Sequence, residues 1–266
     1  MENHTSIDGT FGNQHGRSVL ALLLGDGNPQ AKEKPPTAMA LTEQRSERCR
    51  PQAVMTNTAH DALKSHLLLM ASNAEECVKI AIQSLMDREE SLAKMQKDQD
   101  DVIDQLEMKV DELALSMLGE ATKPDDLRFI TMAMRISNEL ERVGDEATTI
   151  SRRSLELMKH EPLRLDMPIE SMAQMVTDML REALDTFVYR KPDLAREIVL
   201  RDKQVDQLNK AIQAQMTETM LKHPDHIVRS LHLMTIAKSM ERIGDHASNI
   251  AEQVVFLCEA EDIRHQ

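Results

Sequence analysis

Four pairs of acidic residues stand four positions apart in this chain: Asp100 with Asp104, Glu141 with Asp145, Asp202 with Asp206, and Glu241 with Asp245. On a helix that spacing puts both carboxylates of a pair on one face, one turn apart. Such pairs have two uses. They can form a solvated acidic face, the usual meaning of charge on the far side of an amphipathic helix. If two pairs come side by side, they can instead hold a hard or borderline cation such as Mg²⁺, Ca²⁺, Mn²⁺ or iron, which all-oxygen ligation suits. Spacing alone leaves both open.

Two glycines bear on the choice. Beyond residue 57 the chain has only Gly119, Gly144 and Gly244, and the last two lie inside helical patterns, each directly before the Asp of its pair. A mid-helix glycine costs about 1 kcal/mol relative to alanine, and close approach of another element is the usual compensation. A helix packed there would bring its own acidic pair alongside. Four carboxylates in one small volume would repel unless a cation or raised pKa values relieved them. Helical geometry points Glu141 and Asp145 away from the apolar seam at Val143, and Asp104 away from the seam of Ile103, Leu106 and Val110, with Asp100 at its flank. The pairs are therefore expected on an outer face.

Little else in the sequence suggests chemistry. There is no Gly-rich phosphate loop, GxSxG, HExxH or Cys–His pair. His223 and His226 flank Pro224 near a helix start and read as surface residues, and His246 follows Asp245 where the first half has Glu146. Cys49, Cys77 and Cys258 lack CxxC spacing and read as reduced thiols. A carboxylate-bridged di-iron enzyme would need Glu-x-x-His on core-facing helices, and residues 59–260 contain none. The chain is expected to bind rather than to catalyse.

Helices must position these residues. Apolar residues make up 41% of the chain but are skewed to Leu, Ile, Ala and 19 Met, with no Trp, one Tyr and four Phe. Helices tolerate that set, whereas strands favour β-branched and aromatic residues, so the class is all-α. Pro124, Pro162, Pro168, Pro192 and Pro224 fall where helices should begin or break. The pattern predicts helices near 59–88, 90–118, 124–159, 168–190, 192–221 and 224–260.

The pattern repeats. A shift of 100 places Pro124-Asp125 on Pro224-Asp225 and Glu141-Arg142-Val143-Gly144-Asp145 on Glu241-Arg242-Ile243-Gly244-Asp245. A shift of 102 places Leu92-Ala93 on Leu194-Ala195, and Asp100, Asp104 and Leu106 on Asp202, Asp206 and Leu208. Two tandem three-helix bundles follow, at 58–161 and 162–266. The third helix of each carries a core seam: Ile136, Leu140, Val143, Ala147, Ile150 and Leu157, then Ile236, Met240, Ile243, Ala247, Ile250, Val254 and Leu257. Met134 and Met240 read as core filler rather than ligands. Residues 1–57 hold five of the eight Gly and four of the nine Pro and are expected to be a disordered tail, with Met55 as an alternative start.

A net charge of −13 argues against wrapping nucleic acid or resting on an anionic membrane. No apolar run nears the roughly 18 residues a span needs, so no membrane insertion and a cytoplasmic location are expected.

The two segments Glu141–Asp145 and Glu241–Asp245 resemble the paired signature of PhoU proteins. Leu92-Ala93 through Asp104-Gln105-Leu106-Glu107 looks like that family's second helix, Pro124 to Arg128 like the start of its third, and Asp262-Ile263-Arg264-His265 like its C-terminal ending. The resemblance spans about residues 58–266. It implies an often dimeric regulator of phosphate uptake that restrains the phosphate-starvation response. Such a regulator contacts the ATPase of the phosphate transporter and the phosphate-sensing histidine kinase. It also implies metal clusters, of iron or of Mg, Mn or Zn, on Asp100, Asp104, Glu141 and Asp145 in one half and on Asp202, Asp206, Glu241 and Asp245 in the other. Glu107 is matched by Asn209, so the two sites would differ in charge. The first 57 residues have no place in the pattern.

Overall fold

A computed structural model describes residues 52–121, 123–163 and 167–264, and these are helical throughout apart from their connections, with no strand among them. The helices are α1 (Gln52–Asp87), α2 (Glu90–Leu118), α3 (Pro124–Met158), α4 (Ile169–Tyr189), α5 (Pro192–Lys222) and α6 (Ile227–Glu259). Proline sets the start of α3 and α5, where its fixed φ fits and its missing N–H has no partner to lose. Pro224 does not open a long helix directly. It begins a 3-10 turn, Pro224–His226, from which α6 continues. The first helix begins at Gln52, within the stretch the sequence assigned to a tail. The rest of that expectation, residues 1–51, lies outside the described residues.

Each half is a three-helix bundle, α1–α2–α3 and α4–α5–α6. The repeat is visible even in the turns. Arg88 after α1 and Arg190 after α4 stand 102 positions apart, and both adopt left-handed backbone, with φ of 52° and 50°. That conformation is strained for a residue with a Cβ. At Arg88 the side chain gives something back: its Nη2 donates to Leu157 O at 3.1 Å and His160 O at 2.7 Å, satisfying carbonyls at the end of α3.

The two predicted seams are buried along their whole length, from Ile136 to Leu157 and from Ile236 to Leu257. Met240 is fully buried and Met134 packs against the core from its edge, the filler role that thioethers suit. Each fully buried Leu or Ile contributes about 1.5–3 kcal/mol by leaving water. The core is continuous between halves because α3 and α6 also pack on each other. They run antiparallel: Arg135 meets Gln253, Glu139 meets His246 and Asn249, and Glu146 meets Arg242. Among the described residues no helix is long and apolar enough to cross a membrane.

Candidate functional site

The seam between the second and third helix of each bundle positions the acidic pairs. Helix α2 presents Asp100, Asp104 and Glu107 to the α3 face carrying Glu141, Gly144 and Asp145. The carboxyl of Asp100 is pushed above the usual range by burial, then by the charges of Asp145 and Asp104. Burial, then Asp145 and Glu107, push Glu141 up to about 7. Burial also raises Glu107, against a hydrogen bond from Asn138. Five carboxylates from two helices thus feel one another.

The second bundle repeats the arrangement. Asp206, Glu241 and Asp245 bring carboxylate oxygens within 4.8 Å of one another. Burial, then Glu241 and Asp202, push Asp245 up to about 6, and burial with Asp206 and Glu241 raises Asp202.

The eight predicted acids therefore line two seams, four per bundle, but among the described residues only Asp206, Glu241 and Asp245 converge closely; no three acids of the first bundle do so. The outer-face expectation needs correcting. Asp104 and Asp145 are exposed, but Asp100, Glu141, Asp202, Asp206 and Asp245 are half-buried and Glu241 is 8% exposed. The reason is that a three-helix bundle buries more than one stripe: the flank of α3 that leaves the core seam meets α2, and the flank of α6 meets α5.

Glycine marks the approach in one half more than in the other. A Cβ on Gly144 would stand 2.9 Å from Ile103 Cδ1 and 3.1 Å from Asp100 Oδ1, closer than a side chain tolerates. A Cβ on Gly244 would meet Val205 Cγ1 at 3.4 Å, an ordinary contact.

Several participants had no sequence signal of their own. Lys238 forms an ion pair with Glu241 at the second group, and the matching position of the first half is Asn138. Gln96, one turn before Asp100, is 1% exposed, and neither amide atom makes a hydrogen bond of good geometry. Its counterpart is Ile198. His246 bonds Glu139 of the other bundle at 2.7 Å through Nδ1. These residues become visible only when the two halves are superposed position by position. His223 and His226 stack on each other at 5.0 Å, away from the acids.

The chemistry of the donor set is that of a hard-cation site: carboxylate oxygens only, partly desolvated, and mutually repulsive when ionised.

Comparison with known proteins settles the family. The PhoU domain matches twice in tandem, over residues 67–154 and 169–254, one match per bundle. The chain belongs to the PhoU family. It is 35% identical over 211 residues to the phosphate-specific transport system accessory protein PhoU homolog of Pseudomonas aeruginosa, covering 79% of this chain and 87% of that one. The crystal structure of PhoU from the same organism superposes with a TM-score of 0.74 at 34% identity, over 77% of this chain and 99% of that one. The phosphate transport system regulatory protein PhoU from Streptococcus pneumoniae, 23% identical, shares the PhoU fold with a TM-score of 0.72 over 78% and 98% of the two chains. Both PhoU matches contain their acidic groups whole: Asp100 to Asp145 fall in the first and Asp202 to Asp245 in the second.

Proposed function

We propose that this protein is an accessory regulator of phosphate transport, acting in the cytoplasm by binding other proteins rather than by turning over a substrate. The observation that carries this is the tandem PhoU match across both bundles, together with the name its relatives bear, phosphate-specific transport system accessory protein. The partners we assign are the ATPase of the phosphate transporter and the phosphate-sensing histidine kinase, engaged by a homodimer. An acidic surface favours basic patches on such partners. A regulator of this type acts through differential affinity for two states of its partner.

We further propose that the carboxylate groups bind a metal cation. Asp100, Asp104, Glu141 and Asp145 would hold it in the first bundle, and Asp202, Asp206, Glu241 and Asp245 in the second. What supports this reading is that the donors are all oxygen, that Asp206, Glu241 and Asp245 bring carboxylate oxygens within 4.8 Å of one another, and that Gly144 leaves room where a Cβ would stand 3.1 Å from Asp100 Oδ1. Bound there, a cation would supply positive charge that relieves the repulsion and clamps the second helix to the third. A di-iron enzyme is not favoured, because Glu-x-x-His is missing.

Deletion of the gene tests the role. Phosphate-starvation genes should then stay switched on in phosphate-rich medium, and the full chain should restore repression. Unchanged expression and uptake after deletion would refute the regulatory role while leaving the fold intact.

A further inference from the structure

Helix α6 begins with apolar side chains turned away from the core. Val228 and Leu231 are half exposed, and Leu221, in the last turn of α5, is more exposed still. The fold does not require them. A shift of 100 sets Arg128 and Thr131 of α3 against Val228 and Leu231, and a shift of 102 sets Gly119 against Leu221. The first bundle packs around an equally buried seam with none of these apolar residues at its surface. Apolar side chains gathered outside, where the sister bundle has none, mark a surface that another molecule covers.

From Leu231 this surface runs into a groove of about 510 Å³ between α3, α5 and α6. Leu231 and Met234 line one end of it, and Lys238 and Arg242 lie further along the same helix. Leu231, Thr235, Lys238 and Arg242 follow at spacings of four, three and four, so they share one face. From Val228 to Arg242 that face is about 21 Å long, at 1.5 Å per residue.

The charge in the groove points outward. Lys238 bonds Glu241, and Arg242 Nη1 donates to Glu146 Oε1 at 3.0 Å. In each pair the acid lies beneath and the cation above. The side chains of Glu241 and Glu146 are 11% and 13% exposed, those of Lys238 and Arg242 46% and 54%. An arriving molecule therefore meets the ammonium and the guanidinium first, although the chain as a whole carries a charge of −13.

We propose that this groove, with the apolar surface leading into it, docks an acidic amphipathic helix of a partner protein. Apolar anchors of that helix seat on Val228, Leu231 and Met234, and carboxylates about two turns further along meet Lys238 and Arg242. The concave shape suits a helix better than a flat lipid surface. This face thus selects the opposite chemistry from the acidic surface at large. The proposal rests on the reading that the protein acts by binding other proteins, and adds where a partner sits and what it must present.

Biolayer interferometry of the full chain with the purified transporter ATPase, and with the cytoplasmic part of the kinase, tests this. Leu231→Asp should weaken one of the two complexes about tenfold or more. Val228→Asp gives the same reading if the first variant folds poorly by circular dichroism. Thr131→Asp, on the matching turn of α3, should leave both affinities unchanged. Added salt should weaken the affected complex, as screening of Lys238 and Arg242 requires. A photocrosslinker at position 228 should attach to a helix of that partner whose neighbouring charges are Asp and Glu.

Affinities unmoved by Leu231→Asp and Val228→Asp would overturn the proposal while leaving the partner reading in place, and so would crosslinking to a basic segment. Dissociation of a homodimer by Leu231→Asp, read by analytical ultracentrifugation, would assign the face to a second copy instead. Binding to phosphatidylglycerol vesicles that Leu231→Asp abolishes would assign it to a membrane. If the unaltered chain binds neither protein, the partner reading falls and this proposal with it.

Discussion

Gly144 lies so close to Ile103 that a methyl group on its Cα would stand 2.9 Å from Ile103 Cδ1, with Asp100 Oδ1 at 3.1 Å on the same side. Ile103 is fully buried and has little room to give. Alanine would therefore gain about 1 kcal/mol of helix propensity against an overpacking penalty of about 1–3 kcal/mol. Gly144→Ala should lower unfolding stability by about 1 kcal/mol. Gly244→Ala, which meets Val205 only at 3.4 Å, should leave stability unchanged or raise it by up to about 1 kcal/mol. Urea unfolding midpoints of the two variants check the contrast, and equal losses would contradict the asymmetry.

Acidity should stabilise the metal-free protein. Glu141 is raised to about 7 by burial, then by Asp145 and Glu107, and Asp245 to about 6 by burial, then by Glu241 and Asp202. An acid whose folded pKa lies above its unfolded value binds more protons in the folded state, so stability falls as pH rises between the two values. The window runs from about 4.5 to about 7 for Glu141 and from about 3.8 to about 6 for Asp245. The melting temperature in EDTA should fall by about 2–4 °C or more from pH 5 to pH 8. Glu141→Gln should flatten the slope, and a slope of opposite sign would contradict the repulsive clusters.

Added divalent cation should act at the high-pH end. A ligand that binds only the folded state stabilises it by mass action, by about 2.7 kcal/mol at a hundredfold excess over Kd. Mn²⁺ should therefore raise the melting temperature more at pH 8 than at pH 5, where protons already occupy Glu141 and Asp245. Differential scanning fluorimetry at the two values reads this directly.

Glu139 joins the bundles through His246 at 2.7 Å and Asn249 at 3.1 Å. All three groups are half-buried, so the contact should be worth more than an exposed ion pair. A double-mutant cycle of Glu139→Ala and His246→Ala should give a coupling of about 1 kcal/mol. A coupling near zero would mean that apolar packing alone holds α3 to α6.

Arg88 sets two effects against each other. Glycine there would relieve about 1–2 kcal/mol of left-handed strain but remove charge-assisted bonds to Leu157 O and His160 O worth about 1.5–3 kcal/mol each. Arg88→Gly should therefore destabilise the protein, and chemical denaturation would show it. A gain in stability would mean that solvent replaces both bonds at no loss.

The sequence by itself determined the helices, their order and their duplication. A seam such as Ile236, Met240, Ile243, Ala247 and Ile250 recurs with the helical period, and a proline such as Pro124 or Pro192 acts on its own helix, so local pattern carries that information. It also supplied the eight acids, because four-residue spacing and the 100-residue shift are both properties of the linear chain. It misjudged their exposure. An angle measured from Val143 locates one buried stripe, whereas α3 has a second flank that only the position of α2 reveals. The asymmetry between the halves was likewise a tertiary matter. Glu107 against Asn209 was legible as a difference in letters, but its meaning depends on Asn138 and Lys238 standing across the seam, and on Gln96 and Ile198 lying beneath it. Asn138 and Lys238 lie about thirty residues from Glu107 and Asn209 in sequence, and electrostatic and packing energies depend on distance in space.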